Sequence, residues 1–379
     1  MTSGAFGTYD VVVVGGGIAG VSVAYELAGT HTVLLLEMEA TLAHHATGRS
    51  AAMYLETYGG PQVRALTTGS RSFLEDPPAG FDAMLMTPRP LLQIARAGRG
   101  EIIDALHEQV RPFVPAATLV DAAEAAELSP ILRPGVIAKG LFEPQAMELD
   151  VHALHQGYAK GLRDRGGTVL RGRRVEHLRL TDAGWEVHAA DGPVAVTDIV
   201  VDAAGAWADR VAVAAGRAPV GLSPRRRSVF MLPGEGATGH PLLPLLYDVE
   251  ETFYVKPEGE QYLCSPADRS PCEPGDVRAD TLEIARTLDD IREVTTLEAR
   301  HVRTSWAGLR TFAPDEEFVV GFDPVAPGFF WLAGQGGYGI QTAPATARLA
   351  AALIRGLGPP EDLIGLGLDV ARLSPARFQ

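Results

Sequence analysis

Cysteine is nearly absent from this chain of 379 residues, which holds only Cys264 and Cys272. Two thiols build neither a disulfide framework nor a metal-ligand set, so no bound metal is expected. Long apolar runs are missing as well. Nowhere do about 18 apolar residues follow one another, so no membrane-spanning helix is expected. The N-terminal residues carry no basic charge ahead of the first apolar run. Residues 1–8 therefore read as a short flexible lead-in and not as a signal peptide. A reducing cytoplasm is the expected compartment, although two cysteines do not exclude export. Positive charge is also in deficit, with 33 Lys and Arg against 47 Asp and Glu and a formal net charge of −14. That balance disfavours nucleic acid or an anionic membrane surface as partner. Against it the cluster Arg225-Arg226-Arg227 stands out. Repeats and low-complexity tracts are absent. Hydrophobic content of 46% with 21% charged residues is that of a globular protein, and the length suits two domains or one interrupted domain.

What the chain does have is concentrated near its start. Val11-Val12-Val13-Val14 reads as a parallel strand buried on both faces. Gly15, Gly17 and Gly20 follow in the G-x-G-x-x-G pattern, enclosing Ile18 and Ala19. Such glycines allow a tight turn, close backbone approach to a pyrophosphate, and close packing of helix on strand. The helix expected over 21–28 offers its N–H groups and positive dipole end to phosphates. A second apolar run, 32–36, ends in Glu37, 17 residues after Gly20, where an acid meets a ribose hydroxyl. Glycines alone are weak evidence. Strand, glycines, helix, strand and acid together define a Rossmann-type dinucleotide cradle. An acid at position 37 suits FAD or NAD and not NADP.

Residues 44–52 read as a loop entering a short helix, with Thr47 or Ser50 as possible caps. Helices are expected over 61–74, 101–110, 121–128 and 149–165, the last stopped by Gly166-Gly167. Residues 85–95 read as a strand interrupted by Pro88 and Pro90, hence edge-like. Parallel-strand character returns at 168–170 and 199–201, with a β-meander between them. Short strands and one helix at 281–290 fill 222–299, and a buried strand spans 329–333. The expected fold is thus α/β and α+β: a dinucleotide-binding domain from 1–60, 149–220 and 311–379, interleaved with an antiparallel-sheet substrate domain from 61–148 and 221–310.

Gly334, Gly336 and Gly339 repeat the G-x-G-x-x-G spacing. Only 40 residues follow Gly339 and they include no strand ending in an acid, so a second cradle does not fit. The loop and the helix expected over 342–355 are read instead as contacting the other end of the first dinucleotide, where backbone N–H groups could stabilise negative charge.

VVVVGGGIAG, TGRSAA (47–52), PQVRALT (61–67), PPAGF (77–81), VVDAAGAW (200–207), RRS (226–228), FYVKP (253–257), WAGLR (306–310) and GQGGYGIQT (334–342) occur together. Jointly they resemble the D-amino acid oxidase-like family of FAD-dependent amine oxidoreductases, and within it the D-arginine dehydrogenases. The likeness runs over nearly the whole chain. It implies non-covalent FAD, and hydride transfer from the α-carbon of an amino acid to flavin N5. The imino acid formed would hydrolyse to a 2-oxo acid and ammonia. An electron acceptor, oxygen or a quinone-type molecule, would reoxidise the flavin.

The same likeness assigns residues. Arg227 and Arg310 fall where the family clamps the substrate carboxylate, with Tyr254 assisting. Gly308 falls where a backbone carbonyl receives the amine. Tyr58 aligns with a mobile-loop tyrosine that closes over substrate, and Gln341 with a glutamine near flavin and substrate. The cofactor would contact Gly15, Gly17, Ile18, Ala19, Gly20 and Glu37. It would also meet His45, Thr47, Gly48, Arg49, Ser50 and Ala51, then Ala204, Gly205 and Trp207. At its other end lie Gly336, Gly337, Tyr338, Gly339, Ile340, Gln341 and Thr342. Guanidinium forks suit carboxylate geometry, whereas Arg225 and Arg226 read better as solvated or ion-paired charge.

Two departures matter. Met53, Leu55 and Leu91 stand where a guanidinium-reading relative carries histidine, threonine and glutamate; a one-residue gap makes Leu92 the alternative to Leu91. That apolar wall implies a neutral, largely apolar substrate side chain, unless Glu56 or Glu250 supplies a carboxylate. Asp202 replaces the family's asparagine in VNAAGAW without a reason legible in the sequence. Oxidation of a secondary or cyclic amine, and a flavin-binding redox protein without turnover, remain open.

Overall fold

The structure, a computed structural model, describes residues 7–234, 243–298 and 300–378. Residues 1–6 of the lead-in expected over 1–8, and part of the 222–299 stretch, lie outside the described residues. The last two residues of that expected lead-in, Gly7 and Thr8, already belong to a strand.

Among the described residues, two eight-stranded sheets and a three-stranded one form. The first is built on Gly7–Val14, flanked in parallel by Val33–Glu37 and Gly192–Asp202. Alternation along the strand sends Val11 and Val13 into one core and Val12 and Val14 into another. Burial on both faces is why the run is unbroken valine. Helices Ile18–Leu27, Val151–Asp164 and Ala343–Ile354 contribute to the first core, and Ala208–Ala214 to the second. Strand Gly192–Asp202 is shared by two partners on its far side. Its first half takes the antiparallel meander through Gly184–Ala189 and Val175–Thr181, and its last residues pair in parallel with Phe329–Ala333.

The second sheet runs Thr304–Phe312, Ser223–Pro233, Gln261–Ser265, Tyr254–Glu258, Leu245–Asp248, Leu91–Arg96, Ile137–Glu143, Thr118–Asp121. The edge-like strand expected over 85–95 is corrected here. It is two strands: Met86–Pro88 in the small sheet, and Leu91–Arg96 internal to the large one. Pro88 ends the first of these, which is an edge strand of the small sheet as a proline suits, and Pro90 falls in the break, where it costs no ladder donor; the Pro90 carbonyl accepts the Leu245 N–H at 2.8 Å.

Helix starts follow side-chain caps. Asp121 closes a capping box, and Asp150 and Asp280 cap Val151–Asp164 and Thr281–Val294. The fourth expected helix therefore begins after Leu149, which belongs to strand Met147–Leu149. Thr47 caps a different helix from the one expected, since its Oγ1 accepts the Ile18 N–H at 3.0 Å. No helix among the described residues is long and apolar enough to cross a membrane.

Candidate active site

The glycine turn after Val14 is forced by close approach. Gly15 has φ +112°, and a Cβ there would lie 2.4 Å from the Ala203 carbonyl oxygen. A Cβ on Gly20 would lie 1.8 Å from the Gly15 carbonyl oxygen, so only glycine lets the helix sit down on its strand. Glu37 folds back beneath the turn. Its carboxylate accepts the Gly16 N–H at 2.7 Å and the Glu39 N–H at 2.8 Å. His155, invisible to the motif reading, donates from Nε2 to the Gly16 carbonyl at 3.0 Å. Burial lowers its pKa, which keeps the ring neutral.

From this turn a cavity of about 380 Å³ extends past Thr47 to Ala51, Ala204 to Trp207, and Gln335 to Gly337. The His45 ring packs at a tilt against Trp207, with ring centroids 4.5 Å apart, and meets Glu39 at 2.9 Å. The buried His45 Nδ1 and Gln335 Nε2 have no hydrogen-bond partner. A long cavity beginning at a helix N-terminus, with orphaned polar atoms on its wall, fits an extended dinucleotide.

Asp202 explains itself once placed. Its side chain is fully buried, its Oδ1 accepts the Ala204 N–H at 3.1 Å, and its Oδ2 has no partner. Burial pushes its pKa well above the ordinary aspartate value and so favours the neutral acid, which can take the role of an asparagine.

At the far end the cavity meets the edge of the second sheet. Strand alternation puts Arg225 and Arg227 on one face and Arg226 on the other. Arg226 pairs with Asp280 at 2.6 Å and Asp268 at 3.3 Å. Arg225 pairs with Glu316 at 2.6 Å and lies over the Phe312 ring. Arg227 has no such partner among the described residues. It is 5% exposed, with Nε and Nη1 buried and unsatisfied. Burial, then the neighbouring charge of Arg310, lowers its pKa. Arg310, on the adjacent strand, donates to Tyr58 Oη at 3.3 Å and forms no ion pair among the described residues. Two guanidinium groups thus converge on one cavity without a protein anion between them.

The second glycine cluster makes room for this pair. The Gly336 N–H bonds the Thr311 carbonyl at 2.8 Å, and a Cβ on Gly337 would lie 2.7 Å from Arg310 Nη1. Gly308 lies opposite Arg227 in the sheet. A Cβ there would make only ordinary contacts, with Arg49 Cβ at 3.5 Å and Ala46 Cα at 3.9 Å, so the protein itself does not demand glycine at that place. Arg49 braces the loop against this strand, donating to the Ala307 carbonyl at 3.0 Å and pairing with Asp276 at 2.5 Å.

A smaller pocket of about 80 Å³ adjoins the pair, sharing Tyr254, Arg310, Gly337 and Ile340 with the main cavity. Met53, Leu55, Leu91 and Leu245 form its apolar wall. Leu91 lines this pocket, whereas Leu92 points into a different core. The polar lining is Gln93, Tyr247, Tyr58 and Lys256. Lys256 is neutralised by Glu148 and Glu258. Neither Glu56 nor Glu250 lines the pocket: Glu56 holds Tyr54 and Arg71, and Glu250 holds Arg99.

Several expected contacts lie elsewhere. Gly20 and Gly48 serve internal packing; a Cβ on Gly48 would lie 2.3 Å from the Ala43 carbonyl oxygen. Tyr338 stacks on Tyr58 with centroids 4.9 Å apart, and Thr342 Oγ1 donates to the Tyr338 carbonyl at 2.8 Å. The Gln341 amide is engaged by the Leu55 backbone and by Thr67 Oγ1 at 2.8 Å, so it braces the pocket wall. His155, Gln93, Tyr247 and Lys256 were missed. Only the FYVKP likeness ran near Lys256, and the others meet the site across long sequence separations.

Comparison with known proteins follows the same lines. A family model described as FAD dependent oxidoreductase matches residues 10–353, and the chain belongs to that family. FAD is accordingly the dinucleotide the cavity fits. The chain is 25% identical to FAD-dependent oxidoreductase domain-containing protein 1 of Bos taurus, over 91% of this chain and 81% of that protein. It is 26% identical to glycine oxidase of Geobacillus kaustophilus, over 91% and 93%. The crystal structure of glycine oxidase from Geobacillus kaustophilus superposes with a TM-score of 0.84 at 21% identity, covering 98% of this chain and 99% of that one. L-proline dehydrogenase from P. horikoshii superposes at 0.83 with 18% identity, over 99% and 98%.

Proposed function

We propose that the protein oxidises an amino acid with a neutral, largely apolar side chain, of D configuration, to the imino acid and thence to a 2-oxo acid and ammonia. The observation that carries this reading is Arg227: a guanidinium 5% exposed, without an ion pair among the described residues, and beside Arg310, which bonds Tyr58 but likewise has no ion pair among them. Burying such a charge is costly unless an anion completes it. A ligand carboxylate between Arg227 and Arg310 supplies that anion, with Tyr58 and Tyr254 beside it. FAD, when bound in the main cavity, supplies the acceptor for hydride from the substrate α-carbon. The chain's residues fix the carboxylate, offer the Gly308 carbonyl to the amine, and turn the side chain into the Met53–Leu55–Leu91 pocket. The first sheet with its helices serves as the FAD-binding domain, and the second sheet as the substrate domain.

An unpaired guanidinium or ammonium from a substrate would meet the Met53, Leu55 and Leu91 side chains there, at a cost of several kcal/mol. Each buried methylene instead gains about 0.8 kcal/mol. The D preference rests on the family likeness alone. FAD is held without a covalent link to cysteine: Cys264 is buried in the second sheet's core and Cys272 is outside the cavity lining. Two free cysteines suit a reducing cytoplasm. Oxidation of a secondary or cyclic amine is the second reading, supported by the similarity to L-proline dehydrogenase and by the space beside Gly308. Turnover of both enantiomers of a substrate panel, including proline and N-methylglycine, with oxygen and with an artificial acceptor, tests these readings. D-Leucine, D-methionine or D-phenylalanine should exceed D-arginine and D-lysine by at least about tenfold in kcat/KM. A profile led by D-arginine overturns the pocket argument.

A further inference from the structure

Tyr58, Leu55 and Met53 reach the site from one short segment, residues 53–58, that forms only a two-residue strand, Met53–Tyr54. A segment with so little ladder of its own must be held from outside. Gln341 holds its middle through the Leu55 backbone. Its end is held by Glu143, from the last position of strand Ile137–Glu143. Glu143 Oε1 accepts the Glu56 N–H at 2.9 Å and Oε2 accepts from Thr57 Oγ1 at 2.5 Å. Gln93 Nε2 also reaches Thr57 Oγ1, at 3.4 Å. Glu143 pairs directly with Leu91 in the sheet, so strand geometry puts both side chains on the pocket's face. It is 2% exposed and has no cationic partner among the described residues. A buried carboxyl of that kind is costly, and nothing in carboxylate binding or hydride removal uses it.

We propose that Glu143 is the positioning residue that holds residues 56–58 in place and so seats Tyr58 against Arg310 and Leu55 in the pocket wall. The proposal rests on Arg227 and Arg310 being the carboxylate site. Two hydrogen bonds from one rigid strand, to the Glu56 N–H and the Thr57 hydroxyl, fix the chain immediately before Tyr58. Without them Tyr58 keeps its ring contacts with Tyr338 and Tyr247 and the Arg310 bond to its hydroxyl, all made by the side chain and none by the backbone before it. The charged or titratable groups facing Glu143 are Glu56, itself held by Tyr54 and Arg71, and Tyr54. Burial pushes Glu143 up to about 7. Below that pH the neutral acid donates to Thr57 and still accepts from Glu56. Above it the carboxylate accepts from both, at a greater desolvation cost.

The test uses the full-length FAD-loaded protein, wild type, Glu143→Leu and Glu143→Gln, with benzoate as the carboxylate probe. Glutamine keeps an acceptor for the Glu56 N–H but cannot titrate; leucine keeps neither bond. Glu143→Leu should weaken benzoate binding, read from the flavin spectrum, by at least about tenfold at unchanged FAD content. Amide exchange at 56–58 should rise at least about tenfold, while helix Pro61–Glu75 is unaffected. Glu143→Gln should bind benzoate within about threefold of wild type. If Glu143→Leu does not fold, Thr57→Val, which removes one of the two bonds, is read by the same exchange at 56–58, which should rise about threefold or more. Unchanged exchange at 56–58 in Glu143→Leu, or in Thr57→Val where Glu143→Leu does not fold, overturns the proposal. Benzoate binding that Arg310→Met leaves intact would instead overturn the carboxylate site, while exchange at 56–58 still judges Glu143.

Discussion

Replacing Arg227 by methionine should make the ligand-free protein more stable while removing its grip on carboxylates. The guanidinium is 5% exposed, and two of its nitrogens have no partner. A buried donor left unsatisfied costs about 1–3 kcal/mol. Proximity to Arg310, which helps lower its pKa, adds like-charge repulsion. Methionine has similar length, no charge and no unsatisfied donor, so Arg227→Met should gain roughly 1–3 kcal/mol in the absence of ligand. With a carboxylate bound the sign reverses. Truncating one partner of a buried charge pair costs about 2–5 kcal/mol, at least about 30-fold in affinity. Thermal unfolding of the FAD-loaded protein, with and without benzoate, reads both effects. Wild type should melt lower than Arg227→Met without benzoate and gain far more from adding it. A variant that melts lower and binds benzoate normally would show that Arg227 serves packing, and the reasoning would fail.

Asp202→Asn should be tolerated and should gain stability over wild type as pH rises. The raised pKa of Asp202 favours the native state while the group is protonated, and that contribution is lost through the native pKa, so the two proteins should converge in acid. Denaturant unfolding at a series of pH values checks this, and a pH-independent gap would contradict it. Leu91→Glu should shift kcat/KM towards D-arginine relative to D-leucine by at least about tenfold; no shift would mean that the side chain is read elsewhere. Gly337→Ala should displace Arg310, whose Nη1 would lie 2.7 Å from the new Cβ. Its KM should rise about tenfold or more with FAD retained, and normal kinetics would place the carboxylate away from Arg310.

The cradle was legible because its requirements are local. Val11 to Glu37 contains strand, turn, helix, strand and acid in sequence order, each set by short-range geometry. The faces of Arg225, Arg226 and Arg227 follow from alternation alone, but the absence of a partner for Arg227 needs the whole molecule. Pro88 and Pro90 misled because a break between two strands and an edge strand leave the same mark in the sequence. The cap that Thr47 makes, the hold of Gln341 on Leu55 and the place of His155 were not legible for one reason. Each acts on backbone 29 to 286 residues away, and neither periodicity nor spacing carries that information. Asp202 needed burial to be understood.

Anaerobic mixing of the FAD-loaded wild type and Arg310→Met with D-leucine, D-arginine and their L enantiomers tests the central claim most directly. The account predicts that D-leucine bleaches wild-type flavin in a single saturable phase. Arg310→Met should require on the order of 30-fold more D-leucine for the same rate, and D-arginine should be slower by about tenfold or more. Flavin that no amino acid bleaches, or bleaching by D-leucine that Arg310→Met leaves unchanged, would contradict it.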